Sequence, residues 1–220
     1  LKFTGDVYAM REGTPVFADE PIVQVVAPMI EAQILETLIL NQIHYATVAA
    51  TKASRVVVAA RGRDVVDFGS RRAHGADAAL KAARVTWLVG GAGTSNMLAG
   101  KIWGVPVFGT MAHSYIQAHE EETDAFEGFT SVYPDTALLV DTYDTLEGVR
   151  KVIALARRLG DAFKVRAVRL DSGNLAKLAR KTRRMLDDAG LQDVKIFISS
   201  GLDEHKIKRL LDAGAPADGF

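Results

Sequence analysis

The run Val105-Pro-Val-Phe-Gly-Thr-Met-Ala-His-Ser-Tyr-Ile116 sets the reading of the whole chain. Its first four residues, Val105 to Phe108, are apolar and predict a buried strand. Gly109-Thr110 breaks the run, and a helical pattern opens near His113-Ser114. A polar turn at such a handover can meet an anion with backbone N–H groups and the helix dipole. Taken alone the turn says little, because a histidine at a helix start is more often a cap or a packing residue. The arrangement recurs along the chain, and the recurrence carries the fold.

Outward from this stretch, apolar runs at Val65-Val66, Trp87-Leu-Val89, Val105–Phe108, Ala137–Val140, Val165–Leu170 and Lys195–Ile198 alternate with helical patterns such as Leu146–Leu159, Asn174–Ala189 and Glu204–Ala213. A strand every 20 to 30 residues, with helices between, predicts repeating βα units and parallel strands. Each run is followed by a polar, Gly-containing or acidic turn: Phe68-Gly-Ser-Arg-Arg72, Gly90-Gly-Ala-Gly-Thr-Ser-Asn96, Gly109–His113, Asp141-Thr-Tyr-Asp144, Asp171-Ser-Gly-Asn174 and Ser199-Ser-Gly-Leu-Asp203. A (β/α) barrel gathers all such turns on one face. A doubly wound sheet would concentrate them at one crevice. Six in succession favour an α/β barrel, although turn chemistry alone accounts for part of the Gly, Asp, Asn and Ser content. A closed barrel takes about 250 residues, and Ala217-Asp-Gly-Phe220 reads as a further strand only begun. The expectation is an incomplete, TIM-like barrel over 63–220, from a chain that extends past both printed ends.

Residues 1–62 differ. Val7–Gly13 and Ile22–Ala27 read as strands separated by Gly13, Pro15 and Pro21. After Pro28, at a first helical turn, no Gly or Pro occurs before Gly62, and Ile30, Ile34, Leu38 with Leu35, Ile39 fall at helical spacing. One long or two short helices over 29–60 follow, with His44 as a non-functional histidine. This block is expected to be part of a smaller open α/β domain.

Composition narrows the function classes. Of 220 residues 48% are hydrophobic, and 27 basic residues balance 27 acidic ones. No net field therefore points to nucleic acid or an anionic membrane. There is no cysteine, hence no thiol nucleophile or thiolate metal site. No apolar run reaches membrane-spanning length, so a cytoplasmic protein is expected.

The strand-end set holds guanidinium groups (Arg71-Arg72, Arg169), carboxylates and hydroxyls (Asp141, Asp144, Asp171, Ser172), His113 and an aromatic ring, Phe68. Guanidinium groups suit phosphate or carboxylate. Carboxylates beside hydroxyls suit ribose hydroxyls or a hydrated Mg²⁺. Together they point to a phosphorylated sugar with a planar partner. Neither a zinc spacing nor a Gly-x-Ser-x-Gly or Walker-type loop is present.

In order and spacing, Phe68-Gly-Ser-Arg-Arg-Ala-His-Gly75, Gly109-Thr-Met-Ala-His-Ser114, Arg169-Leu-Asp-Ser-Gly173 and Ser200-Gly-Leu-Asp-Glu204 resemble the nicotinate phosphoribosyltransferase family. The resemblance implies an irregular α/β barrel with an open α/β domain. It implies transfer of phosphoribosyl from phosphoribosyl pyrophosphate to nicotinate, coupled to ATP hydrolysis, with Mg²⁺ on the leaving pyrophosphate and a homodimer as the assembly. By motif, His113 resembles the histidine that ATP phosphorylates. Thr110 and Arg169, with Ser114 close, resemble the holders of the nicotinate carboxylate, and Phe68 the residue against the pyridine ring. Arg71 is expected on phosphate, and Asp171, Ser172, Gly173 and Gly201 on the phosphoribosyl pyrophosphate. Asn96 stands where the nicotinamide enzyme has an Asp that accepts from the amide, which favours the acid as substrate. Asn174, where many nicotinate enzymes carry Asp, pulls the other way. An N-terminal aromatic residue and a Gly-rich phosphate turn that the family carries are expected outside this sequence. Nicotinamide or quinolinate transfer, a phosphosugar aldolase or isomerase on the same barrel, and a non-catalytic fragment remain alternatives. The aldolase reading would want a Schiff-base lysine at a strand end.

Overall fold

The structure, a computed structural model, describes residues 2–220. The first two strands, β1 (Asp6–Ala9) and β2 (Val23–Val26), form an antiparallel ribbon with Asp6 opposite Val26 and Ala9 opposite Val23. Pro28, with its φ fixed near the helical value, precedes a single unbroken helix, α1 (Met29–Ala59). That helix buries none of its residues, and Met29, Ile30, Ile34 and Leu38 are each more than half exposed. Only its C-terminal part meets the core, through Val56, Val57 and Ala59. Tyr45 donates to the Ala78 carbonyl, and Lys52 and Arg61 pair with Glu204 and Asp212. Between β2 and α1 lies an apolar groove of about 490 Å³ that includes His44, well away in sequence from any strand-end turn.

The rest alternates strands and helices. In order these are β3 (Val66–Asp67), α2 (Ala76–Leu88), β4 (Gly93–Thr94), α3 (Met97–Trp103), α4 (His113–Gln117) and α5 (Glu122–Val132). Then follow β5 (Ala137–Leu139), α6 (Thr145–Leu159), β6 (Ala167–Leu170), α7 (Leu175–Asp188), β7 (Lys195–Ile198) and α8 (Glu204–Asp212). β3 pairs with β4, and β5, β6 and β7 pair in that order, all parallel. Isolated bridges link the two ladders. Gly219 meets both Asp64 and Phe197, and Thr94 meets Val107. The residues around Gly219 thus run between β7 and β3, exchanging hydrogen bonds with Ile196, Ile198, Asp64 and Val66. Glycine is required there by contact: a Cβ on Gly219 would lie 2.4 Å from the Phe197 ring. The core is what parallel strands under helices should bury, with Leu138, Leu139, Val168, Leu170, Ile196 and Ile198 packed with Val149, Val152, Leu186 and Ile207.

Two expectations need correction. Trp87-Leu-Val89 is no strand. Trp87 and Leu88 end α2 and are about two-fifths exposed; Val89 caps the helix, and Gly90, with φ +100°, turns the chain away from it. A three-residue apolar run does not distinguish a helix end from a short strand. The strand falls just after, at Gly93-Thr94. Val105–Phe108 is reduced to a bridge at Val107, flanked by bonds from Thr94 N–H to the Pro106 carbonyl and from Phe108 N–H to the Thr94 carbonyl. Pro106 has no N–H to extend the ladder.

Candidate active site at the strand ends

The turns that follow the strands are built by a common device. Asn96, Asp144, Asn174 and Asp203 each cap the next helix. Their side-chain oxygens accept from Ala99, from Leu146 and Glu147, from Lys177 and from Lys206, respectively. Short Asp and Asn side chains satisfy N–H groups that the first helical turn leaves open. Four polar residues that could pass for ligands are therefore committed, at least through one oxygen, to holding helix starts. The role assigned to Asn96 by resemblance and the departure at Asn174 both fall on such caps.

What remains forms one connected set. Arg169, on the third position of β6, is largely buried, with its side chain 17% exposed. Its Nε donates to Ser199 Oγ at 3.0 Å, its Nη1 donates to Thr110 Oγ1, and Nη2 lies 3.9 Å from Asp171 Oδ1. Burial draws the guanidinium below its ordinary value, Asp171 and Asp141 push the other way, and Arg71 lowers it further. Two cations, Arg71 and Arg169, and two carboxylates, Asp141 and Asp171, thus act on one another at this end of the sheet.

Asp171 joins this arginine to the histidine. Its Oδ1 accepts from Ser199 Oγ at 2.6 Å, and its Oδ2 lies 3.7 Å from His113 Nε2. The other ring nitrogen, Nδ1, is 3.1 Å from Thr142 Oγ1. Asp141, 7% exposed, steadies the turn from below: Oδ2 accepts from Asp171 N–H at 2.8 Å and from Ser172 Oγ at 2.6 Å. Its Oδ1 is buried without a partner. The helix that His113 begins, α4, has five residues and no side-chain cap. The dipole expected behind His113 is accordingly slight.

The structure therefore brings Thr110, His113, Arg169, Asp171 and Ser172 into one hydrogen-bonded and ionic network, with Arg71 beside it. Ser114 follows His113 in α4, and Phe68 is half-exposed just past β3. Gly173 (φ +77°) lets the chain turn above Asp171. At Gly201 an added Cβ would sit 3.9 Å from Arg72 Nη1, so Arg72, not Arg71, reaches that turn. Ser200 beside it holds φ +123°, a conformation a non-glycine residue adopts only under constraint. Lys206 also reaches the turn, but its ammonium is spent on the Gly201 carbonyl. Sequence reasoning undervalued Asp141 and passed over Thr142 and Ser199. The available signal was the doubled polar pair at a strand end, Asp141-Thr142 and Ser199-Ser200. Among the described residues no group of three His, Asp or Glu is placed to hold a metal.

The profile of the Nicotinate phosphoribosyltransferase (NAPRTase) family matches residues 64–216. The chain belongs to the nicotinate phosphoribosyltransferase family. Nicotinate phosphoribosyltransferase pncB2 of Mycobacterium tuberculosis is 62% identical over all 220 residues, which make up 48% of that protein. The Bacillus subtilis nicotinate phosphoribosyltransferase is 46% identical over 96% of this chain and 43% of its own. The chain spans about half the length of the curated relatives it matches. Among solved structures, human nicotinic acid phosphoribosyltransferase aligns with a TM-score of 0.89 at 29% identity, over 97% of this chain and 54% of that one. The nicotinate-nucleotide pyrophosphorylase of Pyrococcus furiosus aligns with a TM-score of 0.87 at 33% identity, over 99% and 56%. The matched span, 64–216, includes the strand ends where the network lies.

Proposed function

We propose that the protein containing this chain transfers phosphoribosyl from phosphoribosyl pyrophosphate to nicotinate, giving nicotinate mononucleotide and pyrophosphate for NAD biosynthesis. One observation carries the reading: a largely buried Arg169, fixed by Thr110 and Ser199, beside the Asp171–His113 pair. On this reading Arg169 and Thr110 hold the nicotinate carboxylate, with Ser114 near and Phe68 along the ring. Asp171 and Ser172 take ribose hydroxyls, and Arg71, Gly173 and Gly201 face phosphate. Displacement at the anomeric carbon by the ring nitrogen needs orientation and charge stabilisation more than a protein nucleophile.

His113 is proposed as the residue that ATP phosphorylates to couple its hydrolysis to turnover. Mg²⁺ fits as a cation carried with the substrate. Two carboxylates, Asp141 with its unpartnered buried oxygen and Asp171, stand at adjacent strand ends, and such a cation completes its shell with phosphate oxygens and water. When bound it would neutralise charge on the leaving pyrophosphate.

The linked parallel ladders are read as an arc of an irregular barrel formed by 63–220, and 1–62 as part of the auxiliary α/β domain. A homodimer and a cytoplasmic location complete the proposal. No described helix is long and apolar enough to cross a membrane.

Thermal-shift titration of the full-length protein tests the reading. Nicotinate and phosphoribosyl pyrophosphate should each raise Tm, by about 2.7 kcal/mol of stabilisation at 100 times Kd. A Tm indifferent to both would remove it.

A further inference from the structure

His113 can serve as an acceptor only if its ring is held in one orientation and one tautomer. Packing does not do this alone, since the side chain is 40% exposed. Two groups touch its two nitrogens, Thr142 Oγ1 at Nδ1 and Asp171 Oδ2 at Nε2. Which nitrogen carries the proton follows from what each one faces. A carboxylate opposite Nε2 favours a proton there. Nδ1 then keeps its lone pair and takes the Thr142 O–H.

Thr142 is well placed to act as a reference point. It follows Asp141, whose buried carboxylate holds the Asp171 backbone N–H and the Ser172 hydroxyl. Consecutive residues thus fix the two partners: Asp141 sets the Asp171 turn, and Thr142 sets the imidazole that faces it. At 3.7 Å, His113 Nε2 and Asp171 Oδ2 stand just beyond hydrogen-bond distance. A small rotation of the ring would change that contact most.

We propose that Thr142 is a positioning residue, whose hydroxyl donated to Nδ1 holds His113 as the Nε2–H tautomer turned toward Asp171; Nδ1, which keeps the lone pair, then takes the γ-phosphoryl group as the bond to ADP breaks and the Thr142 O–H turns aside. The geometry stands by itself; its consequence for turnover rests on His113 being the phosphoryl acceptor.

The test uses the full-length protein and two variants, Thr142→Val, which keeps the shape and removes the hydroxyl, and Thr142→Ser, which restores it. Ring nitrogens are observed by ¹⁵N NMR, with His113 assigned by loss of its signals in His113→Gln. Phosphoenzyme formation from γ-labelled ATP is timed in parallel, and nicotinate affinity is titrated. The wild type and Thr142→Ser should show the Nε2–H tautomer, and Thr142→Val a mixture. Phosphoenzyme formation should slow about 10- to 100-fold in Thr142→Val and recover in Thr142→Ser, because a misplaced reacting group costs rate at that scale. Nicotinate affinity should not move, since Arg169 and Thr110 are untouched. Wild-type tautomer and rate in Thr142→Val would overturn the proposal. So would a loss of rate accompanied by lost nicotinate affinity and no rescue by serine, which marks a structural role. If the tautomer shifts as expected but even the wild type forms no phosphoenzyme, the positioning role stands and His113 is not the acceptor.

Discussion

Replacing Arg169 by lysine separates charge from geometry at the centre of the site. Arginine uses its fork: Nε reaches Ser199, Nη1 reaches Thr110, and Nη2 stays near Asp171. A lysine ammonium is a single point on a flexible stem and cannot span Ser199 and Thr110 together while also meeting a carboxylate in two-point fashion. Arg169→Lys therefore retains the attraction for nicotinate but loses at least one charge-assisted hydrogen bond, about 1.5–3 kcal/mol. At 1.36 kcal/mol per decade that is a fall in kcat/KM of roughly 10- to 200-fold. Arg169→Ala removes the charge as well. Two unit charges at about 4 Å and an effective dielectric near 20 interact by about 4 kcal/mol, so the loss should reach roughly 1,000-fold. Steady-state kinetics on the full-length protein, with nicotinate as the varied substrate, measures both. If Arg169→Lys keeps wild-type kcat/KM, the fork is not reading the carboxylate. If lysine and alanine fall equally, shape and not charge is what the site lost.

Asn96→Asp should leave Tm within about a degree or two, because Asp caps a helix as well as Asn does; it should still lower kcat/KM for nicotinate by roughly 10- to 1,000-fold through the added negative charge, and nicotinamide turnover by less. Equal losses for the two bases would show that position 96 does not sense the substrate's charge. Gly219→Ala pushes a methyl into the Phe197 ring and should cost about 1–3 kcal/mol in urea unfolding; an unchanged midpoint would mean that the Gly219 crossing is loose. Glu12 sits below the usual carboxylate range, first through its hydrogen bonds to Arg84. A depressed folded value means the pair stabilises above the unfolded pKa and fades as pH falls through the folded one, so Glu12→Gln should cost under about 1 kcal/mol at pH 7 and nothing at low pH. Chemical denaturation of both proteins at the two pH values checks the sign.

The sequence shows the C-terminal half of this fold more plainly than the rest, for physical reasons. β5, β6 and β7 are short, mostly apolar and mostly buried runs closed by polar turns, broken only by Arg169 in β6 and by Lys195 at the start of β7, and these leave a clear trace. β3 and β4 have two residues each, too few for any period to show. The long helix α1 was legible from its missing Gly and Pro, but its exposed apolar side was not, because periodicity tells which residues share a face and not what covers it. At the site the difficulty was different. Asp and Asn end most of the turns, and composition cannot separate those that cap helices (Asn96, Asp144, Asn174, Asp203) from those that hold the network (Asp141, Asp171). That distinction depends on where the carboxylate points. Thr142 and Ser199 were hidden for a related reason, since a hydroxyl in a polar turn is ordinary until its partner is known.

The central claim is that these strand ends assemble a site for nicotinate and phosphoribosyl pyrophosphate. Its most direct test is product analysis with the full-length protein, given phosphoribosyl pyrophosphate, Mg²⁺, ATP and either nicotinate or nicotinamide. Nicotinate should give nicotinate mononucleotide and pyrophosphate in equal amounts, falling roughly 1,000-fold in Arg169→Ala, and nicotinamide should give its own mononucleotide slowly or not at all. Product from nicotinamide at the faster rate, or full activity without Arg169, would contradict the claim.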